Sequence, residues 1–283
     1  MDSFSRPAQG ARTTGLDQRP ARLIAALLTA AVLAPAALFA QETPSNAVHA
    51  AAAPSAVATE QDPDGFLFTP PIVRIGMRAG FNFARASSGV FDLATDELTL
   101  DRGDFGGFAI GGDLALRLAE PVDLVFSVTH MSSSTRSEFR DWDEDGVPIT
   151  QRTKFGQTPL TAAARVYLTS RGRQIGQFAW VPAKFSPYVG AGGGAIHYQF
   201  EQSGSFVDFV DLSIFDATLE SSGWAPVGLV NAGADITLNP RVTLNTDLRY
   251  QFASAEMAGS FIDITDDIDL NGLQLSLGVH FRF

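Results

Sequence analysis

From residue 73 onward, large apolar side chains recur at every second position. In VRIGMRAGFNFA, Val73, Ile75, Met77, Ala79, Phe81 and Phe83 share one side, and Arg74, Gly76, Arg78, Gly80 and Asn82 the other. A period of two is the mark of a β-strand with two unlike faces. The pattern returns in FAIGGDLALRLA, where Phe108, Ile110, Leu114, Leu116 and Leu118 oppose Asp113 and Arg117. It returns in VDLVFSVTHM (Val122, Leu124, Phe126 and Val128 against Asp123, Ser127 and Thr129) and in LTAAARVYLT (Leu160, Ala162, Ala164, Val166 and Leu168 against Thr161 and Arg165). YVGAGGGAIHYQF puts Tyr188, Ile196, Tyr198 and Phe200 against His197 and Gln199, which predicts an outward apolar face and an inward His197. WAPVGLVNAGADITL is weaker, with Val230, Ala232, Ala234 and Ile236 against Asn231, Asp235 and Thr237. VTLNTDLRYQF sets Val242, Leu244, Leu248, Tyr250 and Phe252 against Asn245, Asp247, Arg249 and Gln251. The eighth segment, ending at Phe283, sets Leu273, Leu275, Leu277, Val279, Phe281 and Phe283 against Gln274, Ser276, Gly278, His280 and Arg282.

An even number of strands suits a closed up-and-down barrel with both ends on one side. The connections alternate as well. Ala119-Glu120-Pro121 and Asn239-Pro240 read as tight turns, whereas about 86–105, 134–151, 202–222 and 254–269 read as long polar loops. The connection over 170–184 is long for the short-turn side.

The polar faces decide between a soluble and a membrane barrel. Arg74, Arg78, Arg117, Arg165, Arg249 and Arg282 share the inward set with Asp113, Asp123, Asp235 and Asp247. A dry sandwich core does not take that many charges. In a narrow lumen they can pair across the barrel. Aromatics at the strand ends then form two belts. Phe81, Phe83, Phe108, Tyr198, Phe200, Trp224, Tyr250 and Phe252 lie toward the long loops; Tyr188, Phe281 and Phe283 lie toward the short turns. The fold class expected is all-β, an eight-stranded antiparallel up-and-down transmembrane β-barrel.

The N-terminal part adds an address. Arg19 and Arg22 precede the apolar run LIAALLTAAVL (23–33), then Pro35 and the exit LFA before Gln41. This reads as an export signal over 1–40, with a start site later than Met1 permitted by the long polar beginning. Residues 41–66, rich in Ala, Pro, Ser and Gln, read as a flexible periplasmic leader, and 67–283 as the barrel domain. With 31 acidic and 20 basic residues the net charge is −11, which argues against nucleic acid as a partner. The four loop stretches are all net acidic. The absence of cysteine excludes disulfides and thiolate metal sites.

PYVGAGGGAIHY (187–198), NPRVTLNTDLRYQF (239–252) and LSLGVHFRF (275–283) resemble segments of the small eight-stranded outer-membrane proteins, the OmpA membrane domain, OmpX and OmpW group. The resemblance spans about 72–283. It implies an outer-membrane location, contact with outer-membrane lipid and lipopolysaccharide, and Phe281 and Phe283 as part of the signal read by the barrel assembly machinery.

Three constellations bear on chemistry. Asp141, Asp143 and Asp145 before Gly146 resemble the start of a calcium loop, although the twelfth position holds Arg152 and Pro148 interrupts the loop. Otherwise no cofactor is expected. His130 and Ser132, with Glu138 beyond, resemble the His-x-Ser pair and Glu of outer-membrane lipid A deacylases, without the rest of that local motif. His197 and His280 read as lumen hydrogen-bonders, and glycines 190, 192, 193 and 194 as places where strands curve or pack closely. The function expected is non-enzymatic passage of small hydrophobic solutes, as the OmpW likeness implies. A structural or surface-recognition barrel with a plugged lumen is the alternative, and a hydrolase the third reading.

Overall fold

The computed structural model describes residues 65–144, 146–208, 213–262 and 267–283. The export signal, almost all of the leader and Asp145 lie outside them. Twelve strands and one α-helix follow in chain order. They are β1 Val73–Ala84, α1 Gly89–Glu97, β2 Gly107–Ala119, β3 Val122–Glu144, β4 Val147–Tyr167, β5 Gly172–Ile175, β6 Ala179–Pro182, β7 Phe185–Val207, β8 Ile214–Asn239, β9 Val242–Phe252, β10 Ser254–Glu256, β11 Asp267–Asp269 and β12 Gly272–Arg282. Eight of them form a closed antiparallel barrel in the order β1–β12–β9–β8–β7–β4–β3–β2, with β1 bonded to both β12 and β2. Closure gives each of the eight strands a ladder partner on both sides over its barrel part.

All eight alternating segments fall on barrel strands. Period two fixes their facing: Met77 is 75% exposed and its neighbour Arg78 2%. The wall is inverted relative to a soluble protein, with Ile75, Phe108, Phe126, Leu248, Leu277 and Phe281 outside and Arg78, Asp113, Arg165, Asp235 and Asp247 inside. An outward apolar band of this kind matches hydrocarbon rather than water. At the short β8–β9 turn, the side chain of Asn239 accepts from the backbone N–H groups of Arg241 and Val242 (2.9 and 2.8 Å), and Pro240 pre-sets the bend.

The structure departs from the sequence reading in three places. The first is the loops. The stretches 134–151 and 202–222 are mostly strand: β3 with β4 and β7 with β8 run on as long hairpins, and β4 stays paired to β7 as far as Gln151↔Gly204. The stretch 86–105 folds as α1 and a short 3-10 turn, and 254–269 supplies β10 and β11. Each buries apolar side chains that a solvated loop would not hold, among them Phe91, Leu98, Met257 and Ile268.

The second departure is the facing of β7. Tyr188, Ile196, Tyr198 and Phe200 point inward and are at most 1% exposed, which removes Tyr188, Tyr198 and Phe200 from the belts. His197 lies on the opposite face, outside, with its ring 5.0 Å from that of Trp224. Inward here does not mean polar, because the long-hairpin half of the interior is packed with hydrocarbon. The third concerns 170–184, whose length for the short-turn side the sequence left unexplained: it forms the β5–β6 hairpin. Trp180 on it is buried and exchanges two backbone hydrogen bonds with Leu67 (2.9 and 2.7 Å).

Candidate functional site: the barrel interior

The interior has two layers of opposite chemistry. The layer nearer the short turns is ionic. Arg74 on β1 donates to Asp123 on β3 (2.5 Å), to Asp235 on β8 and to the Tyr167 hydroxyl on β4. Tyr167 in turn donates to Asp235 (2.7 Å), and Asn245 donates to the other Asp235 oxygen (2.7 Å). Arg171, just before β5, reaches up into the lumen and donates to Asp123 (2.6 Å). Arg282 meets only neutral acceptors, Thr237 Oγ1 at 3.0 Å and the Pro240 carbonyl at 3.5 Å. Arg117 sits at the mouth and is half-exposed.

One level further in, Asp247 is the hub. It accepts from Tyr188 (2.8 Å) and Asn231 (2.6 Å) and lies 3.4 Å from Arg249 and 3.9 Å from Arg165. The Arg165 guanidinium also stacks over the Tyr188 ring at 4.0 Å. Asp113 accepts from Ser127 (2.6 Å) and lies 3.2 Å from Arg78 and 3.4 Å from His280 Nε2. His280 lies directly across the ladder from Gly76, and a Cβ at 76 would stand 1.5 Å from the His280 ring. The glycine therefore makes the room that lets the imidazole reach Asp113.

The ten lumen charges thus lie on seven different strands, and the structure brings all of them inside except the half-exposed Arg117. The sequence reading left out Tyr167, Tyr188, Asn231, Asn245 and Arg171. Tyr188 passes for an outward aromatic in an alternation count, Tyr167 shares the inward parity of Thr161 and Arg165 but carries no charge, and Arg171 lies on no barrel strand. The surplus of lumen cations over lumen carboxylates signals neutral partners of the tyrosine and asparagine kind; it gives no signal for Arg171, itself a cation.

The layer nearer the long hairpins is apolar. Phe91 of α1 packs against Phe105, Phe155 and Phe200 with ring centroids 4.6, 5.3 and 5.9 Å apart, and Phe200 meets Phe261 at 5.3 Å. Val90, Ala94, Leu100, Ile196, Val227, Ile268 and Leu270 fill the same cluster. At about 1.5–3 kcal/mol for each fully buried large side chain, it is held as firmly as a small domain core. Tyr198 ties segment 254–270 to the wall by donating to the Glu256 carbonyl (2.8 Å). Between the layers, Gln251 donates to Gln157 (2.8 Å) and to the Leu270 carbonyl (2.9 Å), linking polar and apolar levels. Buried side chains occupy the interior at both levels, and the β5–β6 hairpin with Arg171 before it stands at the short-turn end.

The chemical candidates separate here. Ser132 and Glu138 are exposed on the outer face of β3, with His130 on the same face. His130 Nδ1 is bonded to Thr158 Oγ1 at 3.0 Å, and Ser132 makes no hydrogen bond to it. A nucleophile without a base in reach is not activated. Asp141 and Asp143 stand exposed at the tip of the β3–β4 hairpin, where Asp143 Oδ1 accepts from the Gly146 N–H at 3.0 Å, an ordinary turn closure. Among the described residues, no group of three His, Asp or Glu side chains converges on a metal position. Phe281 and Phe283 are exposed on the outward face of the closing strand, and the Phe283 backbone is laddered to Val73.

No family model and no curated protein matches this chain. Among solved structures it is similar to the outer membrane protein OprG from Pseudomonas aeruginosa (14% identity, 77% of this chain, 99% of that chain, TM-score 0.42). It is similar too to a major outer membrane protein from Thermus thermophilus (15% identity, 76% of this chain, 100% of that chain, TM-score 0.42). The outer membrane protein W of E. coli aligns at 20% identity over 76% of this chain and 100% of its own, with a TM-score of 0.32. Each of the three is described as an outer membrane protein.

Proposed function

We propose that this chain is an outer-membrane barrel with a sealed lumen, whose role lies in the surface that its long hairpins present and not in conduction. One observation carries the reading: the interior is filled twice over, by an ion-pair layer and by an aromatic plug. An eight-stranded barrel has an interior only wide enough for side chains, so little else can pass. The paired hairpins β3–β4 and β7–β8 extend the wall beyond the apolar band as a four-stranded sheet. Its outer face is polar and of mixed charge, with Arg136↔Arg152 across one ladder and Lys154 bonded to Glu201 (2.9 Å) across the next. Such a rigid polar sheet suits recognition of saccharide or protein at the cell surface, lipopolysaccharide included. The export signal and the terminal Phe281 and Phe283 assembly signal belong to the same proposal.

A second reading is favoured by the outer wall. A groove of ≈ 650 Å³, lined by Ile75, Gly112, Leu114, Phe126 and Leu160 among others, could take one acyl chain or hydrophobic solute from the side. Flux into liposomes carrying the folded protein separates the two. The sealed reading expects neither a hydrophobic nor a hydrophilic probe to cross faster than in empty liposomes. Flux of the hydrophobic probe alone would restore solute passage, and flux of both would mean that the plug opens.

A further inference from the structure

The short-turn mouth of the barrel is not electrically balanced. Beneath Trp180 lies a cavity of ≈ 10 Å³, about the space of one water-sized body. Five elements bring charge to it: Arg74 from β1, Arg117 from β2, Asp123 from β3, Asp235 from β8 and Arg282 from β12. Arg171, before β5, completes the lining. Four guanidinium groups therefore face two carboxylates.

Those carboxylates are already committed. Arg74 binds both, and the second Asp123 oxygen takes Arg171 at 2.6 Å. Arg282 is bonded only to a hydroxyl and a carbonyl. Arg117 has no carboxylate within ion-pair distance among the described residues. Glu120 on the adjoining turn accepts from Ser170 at 3.4 Å. Arg282 is thus a buried cation without a carboxylate, a costly arrangement unless something neutralises it, and the half-exposed Arg117 adds positive charge at the rim of the same pocket.

A second observation points into the same space. Ser186 on β7 also lines the cavity, is 2% exposed, and its hydroxyl has no hydrogen-bond partner. The Nε of buried Arg171 is likewise unpartnered. A buried donor left unmade costs about 1–3 kcal/mol. Unpartnered donors and surplus positive charge therefore converge on one small pocket.

We propose that this pocket binds a single halide-sized monovalent anion, of the chloride class, held by Arg117, Arg171 and Arg282 with the Ser186 hydroxyl donating. Water would satisfy the donors and leave the charge. A whole phosphate is too large for the space. A bound anion would neutralise the mouth and, through Arg171, fasten the β5–β6 hairpin to the barrel.

The test uses the purified full chain in detergent. Crystals grown in sodium bromide should show one anomalous peak between Arg171, Arg282 and Ser186. The thermal unfolding midpoint should rise saturably with chloride and stay flat with gluconate at matched ionic strength. Ser186→Ala should not lower the midpoint in gluconate and should raise it if anything, since the variant removes a buried hydroxyl that has no hydrogen-bond partner. It should weaken the chloride half-saturation about tenfold, what one hydrogen bond to a charged group confers. Arg282→Gln should abolish the chloride response; if that variant fails to fold, the bromide density and Ser186→Ala still decide. No bromide peak, an equal rise in chloride and gluconate, or an unchanged half-saturation in Ser186→Ala would overturn the site. A larger rise with acetate or phosphate than with chloride would overturn the halide assignment in favour of an oxyanion.

Discussion

Arg74→Met tests whether the lumen is truly closed to water. Arg74 is 6% exposed and is the only cation within 4.0 Å of Asp235 among the described residues, whereas Asp123 keeps Arg171. Methionine preserves most of the volume and removes the charge. Asp235 then stays buried with two hydrogen bonds, from Tyr167 and Asn245, and no counter-charge. Breaking one partner of a buried ion pair costs about 3–5 kcal/mol. The two remaining hydrogen bonds place this case near the low end, about 3 kcal/mol. Asp235→Asn in the same chain removes the stranded charge, so Arg74→Met/Asp235→Asn should be more stable than Arg74→Met by about 2 kcal/mol. Denaturant unfolding in detergent micelles, followed by tryptophan fluorescence, gives both differences; Trp180 at the barrel mouth supplies a local signal. A loss below about 1 kcal/mol in Arg74→Met, within the range of exposed ion pairs, would show that water reaches Asp235 and that the seal does not hold. A double variant no better than the single would refute the electrostatic argument itself.

Three further outcomes follow from the same geometry. Phe91→Ala should loosen the plug by about 3 kcal/mol, read as roughly 100-fold faster hydrogen exchange in α1 while amides of β1 and β12 keep their protection. Gly76→Ala should fail to fold at normal yield, because the added methyl meets the His280 ring, and the second change His280→Ala should restore folding; a heat-dependent gel shift reports the folded fraction. His130→Ala should leave thermal stability within about 0.5 kcal/mol of the parent, and lipid hydrolysis in His130→Ala and in Ser132→Ala should equal that of the parent, since His130 is an exposed residue bonded only to Thr158. Hydrolysis lost in both variants would reinstate the third functional reading.

The alternation along β12 fixes its facing without help. Leu273 to Phe283 are outside and Gln274 to Arg282 inside, because a strand has only two faces and nothing in this segment is ambiguous. The same holds for β1, β3, β4 and β9, and with them the barrel and the identity of its inward charges. What the sequence could not carry is pairing: Arg74 and Asp235 are 161 residues apart, and period two says which side a residue faces, not whom it meets. The facing of β7 failed for a related reason. Its centre is glycine at 190, 192, 193 and 194, which holds no facing information, and its ends were judged by a rule that inward means polar. That rule is true beside Asp247 and false beside Phe91. Whether an inward side chain meets a carboxylate or a phenyl ring depends on which loops fold back into the barrel. The burial of α1 and of Met257, Phe261, Ile268 and Leu270 is set by distant strands, Phe155 and Phe200 above all. Local pattern therefore determined the wall, and only the tertiary structure decided what fills it.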